Sequence, residues 1–389
     1  MPTTNVINVH MAKYKLKSFY PNFFNNRAIS YACLSIAEHM ASDAFETSVM
    51  GIASTKDARK VFYKDAIPPF LKRIAYKFLS SDTLRCIAEY RFKKNVNKGD
   101  IVYLWPGSSV GLFRSLKEKG CLIIRENINT HTGYAKEILE KEGLSLGIND
   151  VHSISSEMIN EEIEIQKYTD YVFSPSPEVS QSLIKYGVPH DSIMTASYGL
   201  KHDEILSSKE FAGNEGQVTA IFVGRICVRK GIHLLLSAWK EANINGRLIL
   251  VGAIDTNVEQ FVRKHLSENI EHIPYTNDLK SIYRNADLFI LPSIEEGSPL
   301  VTYLALGAGI PSIVSPMGGG GIISADEGVV IEPHDKTAWV DAIQKLSFDG
   351  ELRKKMGANA HEKAKEYTWE QVGRRRMKEL EKKLQSLKS

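Results

Sequence analysis

The sequence predicts an α/β protein of two doubly wound, parallel-sheet domains, and three observations lead there. The chain has 389 residues, and an ordinary domain takes about 100–200, so two domains of similar size is the simplest fit. Short apolar runs rich in Val, Ile, Leu and Phe alternate with helical stretches along most of it, as parallel strands covered on both faces require. A hydrophobic content of 43% with 24% charged residues is that of a globular chain.

The C-terminal half carries the alternation most clearly. Val218–Gly224 reads as a strand, Gly231–Ala242 as a helix, Arg247–Gly252 as a strand and Val258–Leu266 as a helix. Strand Ile270–Pro274, helix Leu279–Asn285, strand Asp287–Leu291, helix Pro299–Gly307 and strands Ser312–Ser315 and Gly328–Ile331 follow. Ligands of such a domain are expected beyond the carboxyl ends of its strands. In the N-terminal half, strands are expected at Asn5–Val9, Ile101–Trp105, Leu122–Arg125, Tyr171–Ser174 and Ile193–Thr195. The expected plan is a domain at 1–200, a polar linker without period at 201–216, a second domain at 217–370, and a terminal amphipathic helix at 371–389 packing back across the domains.

Composition excludes several classes. A net charge of +3 is too small to suggest a nucleic-acid partner. Cys33, Cys86, Cys121 and Cys227 are far apart with no C-x-x-C pair, which argues against a zinc site or a disulfide framework and for a reducing compartment. The start MPTTNVINVHMAKYK has no apolar run of leader length, and no stretch of membrane-spanning length occurs. A cytoplasmic location is expected. From Lys56 to Lys98 twelve basic residues face four acidic ones, a surplus of +8. Within that region Pro68–Leu79 mixes Phe70, Leu71, Ile74 and Phe78 with Lys72, Arg73 and Lys77. It reads either as a helix lying on an anionic membrane surface or as a solvated helix packed on its own core.

Three segments carry chemistry. Gly224-Arg225-Ile-Cys-Val-Arg-Lys230-Gly231 joins a strand to a helix. Its glycines allow a tight turn, and Arg225 and Lys230 are either cations for a diphosphate or solvated loop charges. Leu291 to Pro311 again runs strand, loop and helix, with an acidic pair at Glu295 and Glu296 and Pro299 placed to open the helix. The first helical N–H groups, on Leu300 and Val301, suit a phosphate. Glu296 could accept hydrogen bonds from sugar hydroxyls, or merely complement the helix dipole. In the first half, Leu122 to Glu140 is a strand, a loop holding His131 and an amphipathic helix, with Arg125 and Glu126 as secondary candidates.

Taken together, Gly224–Gly231, Ala286–Ser293, Glu296–Val301 and Ala308–Pro311 resemble, in order, the donor-binding motifs of retaining glycosyltransferase family 4, of the glycosyltransferase group 1 type. The likeness continues through Gly318–Gly321, Gly328–Asp335 and Tyr367–Glu370, and covers roughly residues 120 to 372. It implies a GT-B architecture, two Rossmann-like domains facing a central cleft, and a sugar moved from a nucleotide donor with retention of configuration. It implies donor contacts at Gly224, Arg225, Lys230, Gly297, Ser298, Pro299, Leu300 and Val301, with Arg225 and Lys230 on the diphosphate. Glu296 then holds the transferred sugar and His131 contacts it, the two being the candidate catalytic residues. The nucleotide is expected beside Pro274, Tyr275 and Leu304. The family's second Glu, which holds the ribose, is here Leu304, which can make no hydrogen bond. The family's Gly-Gly turn after the first strand is also missing, and the acceptor side is unreadable.

The cations and the helix start would take up charge on the leaving diphosphate, so no metal is expected and the nucleotide-sugar is a co-substrate rather than a cofactor. No carboxylate spacing argues for a covalent glycosyl intermediate. The implied partners are the nucleotide-sugar, a glycan or lipid-linked acceptor and, on one reading of residues 56–98, an anionic membrane. The rival reading is a homologue that keeps the fold and binds a sugar nucleotide or a partner without turnover, motivated by Leu304 and the missing Gly-Gly turn. An epimerase or phosphorylase on the same architecture would call for an extra acid pair or a lysine-bound cofactor, to which nothing points.

Overall fold

The computed structural model describes residues 14–58, 60–206 and 217–387. The strand expected at Asn5–Val9 lies outside them, as does the expected linker from 207 onward. The chain runs β1 (Tyr14–Phe24), α1 (Ala28–His39), β2 (Phe45–Ser54), β3 (Tyr63–Asp65), α2 (Lys72–Phe78), α3 (Ser81–Asn95), β4 (Ile101–Leu104), α4 (Val110–Glu118) and β5 (Leu122–Glu126). Next come α5 (Thr132–Leu146), α6 (Ser156–Gln166), β6 (Tyr171–Ser174), α7 (Pro177–Lys185) and β7 (Ile193–Thr195). Then follow β8 (Val218–Val223), α8 (Ile232–Ala242), β9 (Gly246–Val251), α9 (Thr256–His265), β10 (Ile270–Ile273), α10 (Leu279–Arg284) and β11 (Leu288–Leu291). The last elements are α11 (Leu300–Gly307), β12 (Ser312–Val314), β13 (Gly328–Val330), α12 (Lys336–Phe348), α13 (Gly350–Ala364) and α14 (Trp369–Ser386).

The strands form two parallel sheets, ordered β3-β2-β1-β4-β5-β6-β7 and β10-β9-β8-β11-β12-β13. Each starts in its middle, grows outward to one side and then crosses to the other, so both domains are Rossmann-like. By internal contacts the described chain separates into two compact units, one of the residues up to Glu126 with Tyr168–Tyr171, the other of Asn127–Lys167 with Val172 onward.

In the first unit, β1 pairs with β2 and β4. Leu16 and Phe19 are fully buried, and Phe19 stacks on Phe92 of α3 at 4.6 Å between ring centroids. The sequence reading assigns no strand to 14–24 or 45–54, and the structure corrects it. Lys15, Lys17 and Pro21 interrupt the apolar run that signals a buried strand. Lys17 is accommodated by an ion pair with Asp100 at 2.8 Å, and the β1–β2 register shifts between Tyr20 and Phe23, around the proline that cannot donate to the ladder. Asn26 in the loop from β1 to α1 and Ala28 at the start of α1 have φ of 57° and 46°. In α2 only Ala75 is buried.

In the second unit, every element expected between Val218 and Ile331 forms within one or two residues of its expected bounds. These strands are buried on both faces, so they read as unbroken apolar runs. The terminal helix α14 docks on the segment before 201: Leu200 and Trp369 exchange backbone hydrogen bonds with Tyr367 and Leu200 at 3.0 and 3.1 Å. Arg376, fully buried, donates to the carbonyls of Ala196 and Ser197 at 3.0 and 3.2 Å. Its guanidinium lies over the rings of Phe173 and Tyr198.

Candidate active site

In the second sheet β8 and β11 are neighbours although α8, β9, α9, β10 and α10 separate them in sequence. The winding reverses between them, which makes the carboxyl ends of these two strands the expected place for a ligand. One loop, Gly224–Gly231, leads into α8; the other, 292–299, leads into α11.

The two loops are held close by backbone chemistry. Gly231 has φ of 69°, and a Cβ on it would lie 2.0 Å from the carbonyl oxygen of Pro292, so no side chain is tolerated there. The N–H groups of Ile294 and Glu295 both donate to the carbonyl of Arg229, at 2.9 and 3.4 Å. On this frame two cations meet two carboxylates. Arg229 donates from Nε to Glu295 at 2.6 Å and from a terminal nitrogen to Glu296 at 2.7 Å. The ammonium of Lys230 lies 2.8 Å from the same Glu296 oxygen.

Burial pushes the Glu296 carboxyl up, but the charges of Lys230 and Arg229 and a hydrogen bond from Lys230 more than reverse it, so it stays below the usual carboxylate range. Burial likewise opposes the charge on Arg229, and Glu296 and Glu295 outweigh it, raising its pKa above the ordinary value. The Glu296 carboxylate and the Arg229 guanidinium thus each stabilise the charged form of the other. Lys230 is nearly covered, whereas Arg225 stands largely in solvent with its Nε on the carboxylate of Asp255. The structure therefore joins Lys230 to Glu296 directly and holds Arg225 apart, on a different acid.

A third loop packs on these two. A Cβ on Gly297 would lie 1.8 Å from the carbonyl oxygen of Ile128, so the stretch leading to α5 touches the loop before α11. Thr130 seals the contact, donating from its hydroxyl and its N–H to Glu295 at 2.7 and 3.3 Å. His131 follows directly and caps α5: its Nδ1 accepts from the N–H of Gly133 at 3.0 Å. Its own N–H donates to the Ser182 hydroxyl at 2.9 Å. The ring is fully buried, stacked on Tyr186 at 4.0 Å, with Nε2 3.8 Å from the Glu162 carboxylate. Because Nδ1 accepts, the proton of the neutral ring sits on Nε2. Arg125 and Glu126 belong to the first unit, where Glu126 accepts from the Tyr103 hydroxyl.

Pro299 sits at the N-cap of α11 rather than inside it, and Leu300 and Val301 are its first helical residues. Their N–H groups head the helix, and such first-turn donors have no intrahelical acceptor. Ser298 turns inward, its hydroxyl 2.7 Å from that of Tyr303, which also accepts from the N–H of Tyr198 at 3.1 Å. Tyr303 is fully buried and structural. Leu304 lines an open pocket with Glu204, Leu206, Leu279, Lys280, Tyr283 and Ala308. Pro274 and Tyr275 lie just past β10, with Tyr275 exposed and its hydroxyl donating to Asn277 at 2.6 Å.

Sequence reasoning missed the roles of Arg229, Glu295 and Thr130. The signal available was the doublet Arg229-Lys230 in one loop facing the doublet Glu295-Glu296 in the other, two charges of each sign at the ends of adjacent strands.

The fold is that of a doubly wound α/β protein, and comparison with known proteins narrows the class. Residues 203–363 match the model of the family described as glycosyl transferases group 1. An uncharacterized glycosyltransferase of Methanocaldococcus jannaschii is 30% identical over 171 residues, 42% of this chain and 48% of the relative. The capsular polysaccharide biosynthesis glycosyltransferase CapM of Staphylococcus aureus is 27% identical over 165 residues, 39% of this chain and 43% of the relative. The chain thus matches less than half the length of these curated relatives. Among solved structures, sucrose-phosphate synthase from Thermosynechococcus elongatus superposes with a TM-score of 0.71 at 18% identity, covering 96% of this chain and all of that one. This likeness concerns the fold, which is that of the GT-B glycosyltransferases.

Proposed function

We propose that the protein is a glycosyltransferase that moves a hexose-type sugar from a nucleotide donor to a glycan or lipid-linked acceptor with retention of configuration. The observation that carries this reading is the cluster of Arg229, Lys230, Glu295 and Glu296 where the loops after β8 and β11 meet. On arrival of a diphosphate, Lys230 exchanges part of its contact with Glu296 for phosphate oxygens, aided by Arg225 and the N–H groups of Leu300 and Val301. The freed Glu296 oxygen then accepts from hydroxyls of the transferred sugar. Charge growing on the leaving diphosphate is met by these fixed donors, so the reaction requires no metal. The acceptor attacks on the face from which the diphosphate departs, and the leaving phosphate takes its proton.

The matched family and the name of the staphylococcal relative support a place in bacterial surface polysaccharide or glycolipid synthesis. No described helix is long and apolar enough to cross a membrane, and we place the reaction in the cytoplasm, with peripheral contact to an anionic membrane through residues 56–98.

The test is thermal stabilisation of the purified chain by UDP, GDP, ADP, CMP and their sugars, since a ligand at a hundred times its dissociation constant adds roughly 2.7 kcal/mol. A shift with one nucleotide that Lys230→Ala removes, with sugar transfer abolished in Glu296→Ala, is the expected result. Leu304 favours a second reading, a homologue that binds the donor without turnover: stabilisation with neither transfer nor donor hydrolysis would select it. No shift with any nucleotide would sink both.

A further inference from the structure

The segment between β3 and α3 puts six large apolar side chains into solvent within ten residues. Phe70 is 79% exposed, Leu71 41%, Ile74 57%, Tyr76 42%, Phe78 71% and Leu79 38%. A helix that packs on its own core hides such residues and shows its charges, whereas α2 shows both, burying only Ala75. Ile74 and Phe78 are four residues apart and share one face, which Phe70 and Leu71 extend at its N-terminal end. A contiguous apolar surface of this kind marks an interaction site.

Cations accompany it. Arg73 and Lys77 are exposed within α2, with the Lys77 ammonium 5.2 Å from the ring centroid of Phe78. Lys64, Lys93, Lys94 and Lys98 are exposed in the same region of +8 surplus. Two of its basic residues are committed to holding the element: Lys72 donates to the carbonyl of Ser54 at 3.0 Å, and Arg91 donates to that of Ala66. Lys60 and Arg85 pair with Glu38 and Asp82 at 3.2 and 3.0 Å, and the Lys94 ammonium lies over the Tyr90 ring.

We infer that Phe70–Leu79 docks on an anionic lipid bilayer. Phe70, Ile74 and Phe78 enter the boundary between headgroups and acyl chains, while Arg73 and Lys77 meet lipid phosphates. Mixed apolar and cationic side chains on one short helix match a surface that is itself anionic outside and apolar beneath. This deepens the proposed function by naming the surface at which a lipid-linked acceptor is met, and it rests on that reading only for the acceptor.

The experiment is co-sedimentation of the full chain with phosphatidylcholine vesicles, with or without phosphatidylglycerol, at low and high salt and without substrate. Binding to the anionic vesicles alone, weakened by salt, is expected. The double variants Phe70→Ser/Phe78→Ser and Arg73→Glu/Lys77→Glu should each weaken it by about tenfold or more. All four positions are exposed, so melting temperature and nucleotide response should match wild type, separating this result from the fate of the transferase reading. Equal binding to both vesicle types, no binding, or unchanged binding in both variants would overturn the inference. So would a wild-type dimer in solution that Phe70→Ser/Phe78→Ser disperses, since the face would then belong to a second copy.

Discussion

Glu295 and Glu296 are adjacent in sequence, buried, and different in what they do. Glu295 ties Thr130 to Arg229 and so fixes three loops to one another, while Glu296 faces both Arg229 and Lys230. Glu296 carries a pH dependence whose sign follows from its depressed pKa. Its contribution to stability is complete above the carboxylate range of the unfolded chain and is lost as pH falls through the lower folded value. Glu296→Gln should therefore unfold in less urea than wild type at pH 7, and the difference should shrink as the buffer is taken below about pH 4.3, the ordinary Glu value. A gap that stays constant with pH would mean that the carboxylate's charge contributes nothing. The resemblance of their motifs singled out Glu296 and Lys230, but that they touch was not legible. Arg229 finds Glu295 across 66 residues and Thr130 finds it across 165, and separations of that size leave no local pattern.

At the scale of elements, legibility tracked burial. The strands from β8 to β13 were readable because both faces are covered and the apolar runs are unbroken. Strands β1 and β2 were not, because Lys15, Lys17 and Pro21 break the first run and Glu46, Thr47 and Ser48 break the second. The apolar side chains of α2 were readable as a stretch, yet only the structure decides which way they face. The close approach of the α5 and α11 entry loops was invisible too, because a glycine at 297 says nothing about what lies opposite it. There a methyl group would collide with the Ile128 carbonyl at 1.8 Å. Overpacking of this sort costs about 1–3 kcal/mol. Gly297→Ala should show that loss in chemical denaturation, with the Thr130–Glu295 link strained and any nucleotide-induced thermal shift reduced. An unchanged midpoint would mean that the loops separate freely.

Across the whole molecule, the two sheets repeat one winding rule, and a single helix closes the second unit. Arg376 on α14 brings a buried guanidinium to the carbonyls of Ala196 and Ser197 between the rings of Phe173 and Tyr198. Replacing it with Met keeps the bulk and removes the donors, leaving buried acceptors unpaired at a cost of about 3 kcal/mol. The expected outcome for Arg376→Met is a lowered urea midpoint and early loss of α14 helicity, followed by hydrogen exchange; protection equal to wild type across 369–386 would contradict it.

That docking also orders events in time. The isolated β-bridge of Leu200 finds its partner only at Thr368, far downstream in a chain that a ribosome delivers from its N-terminal side. Elements from β8 to β13 can pair as they emerge, but the aromatic surface around Tyr198 waits uncovered until α14 is free of the exit tunnel. Nascent chains stalled before residue 368 should thus carry a sticky, incomplete second unit, and any truncation there is a ready target for chaperones and proteases.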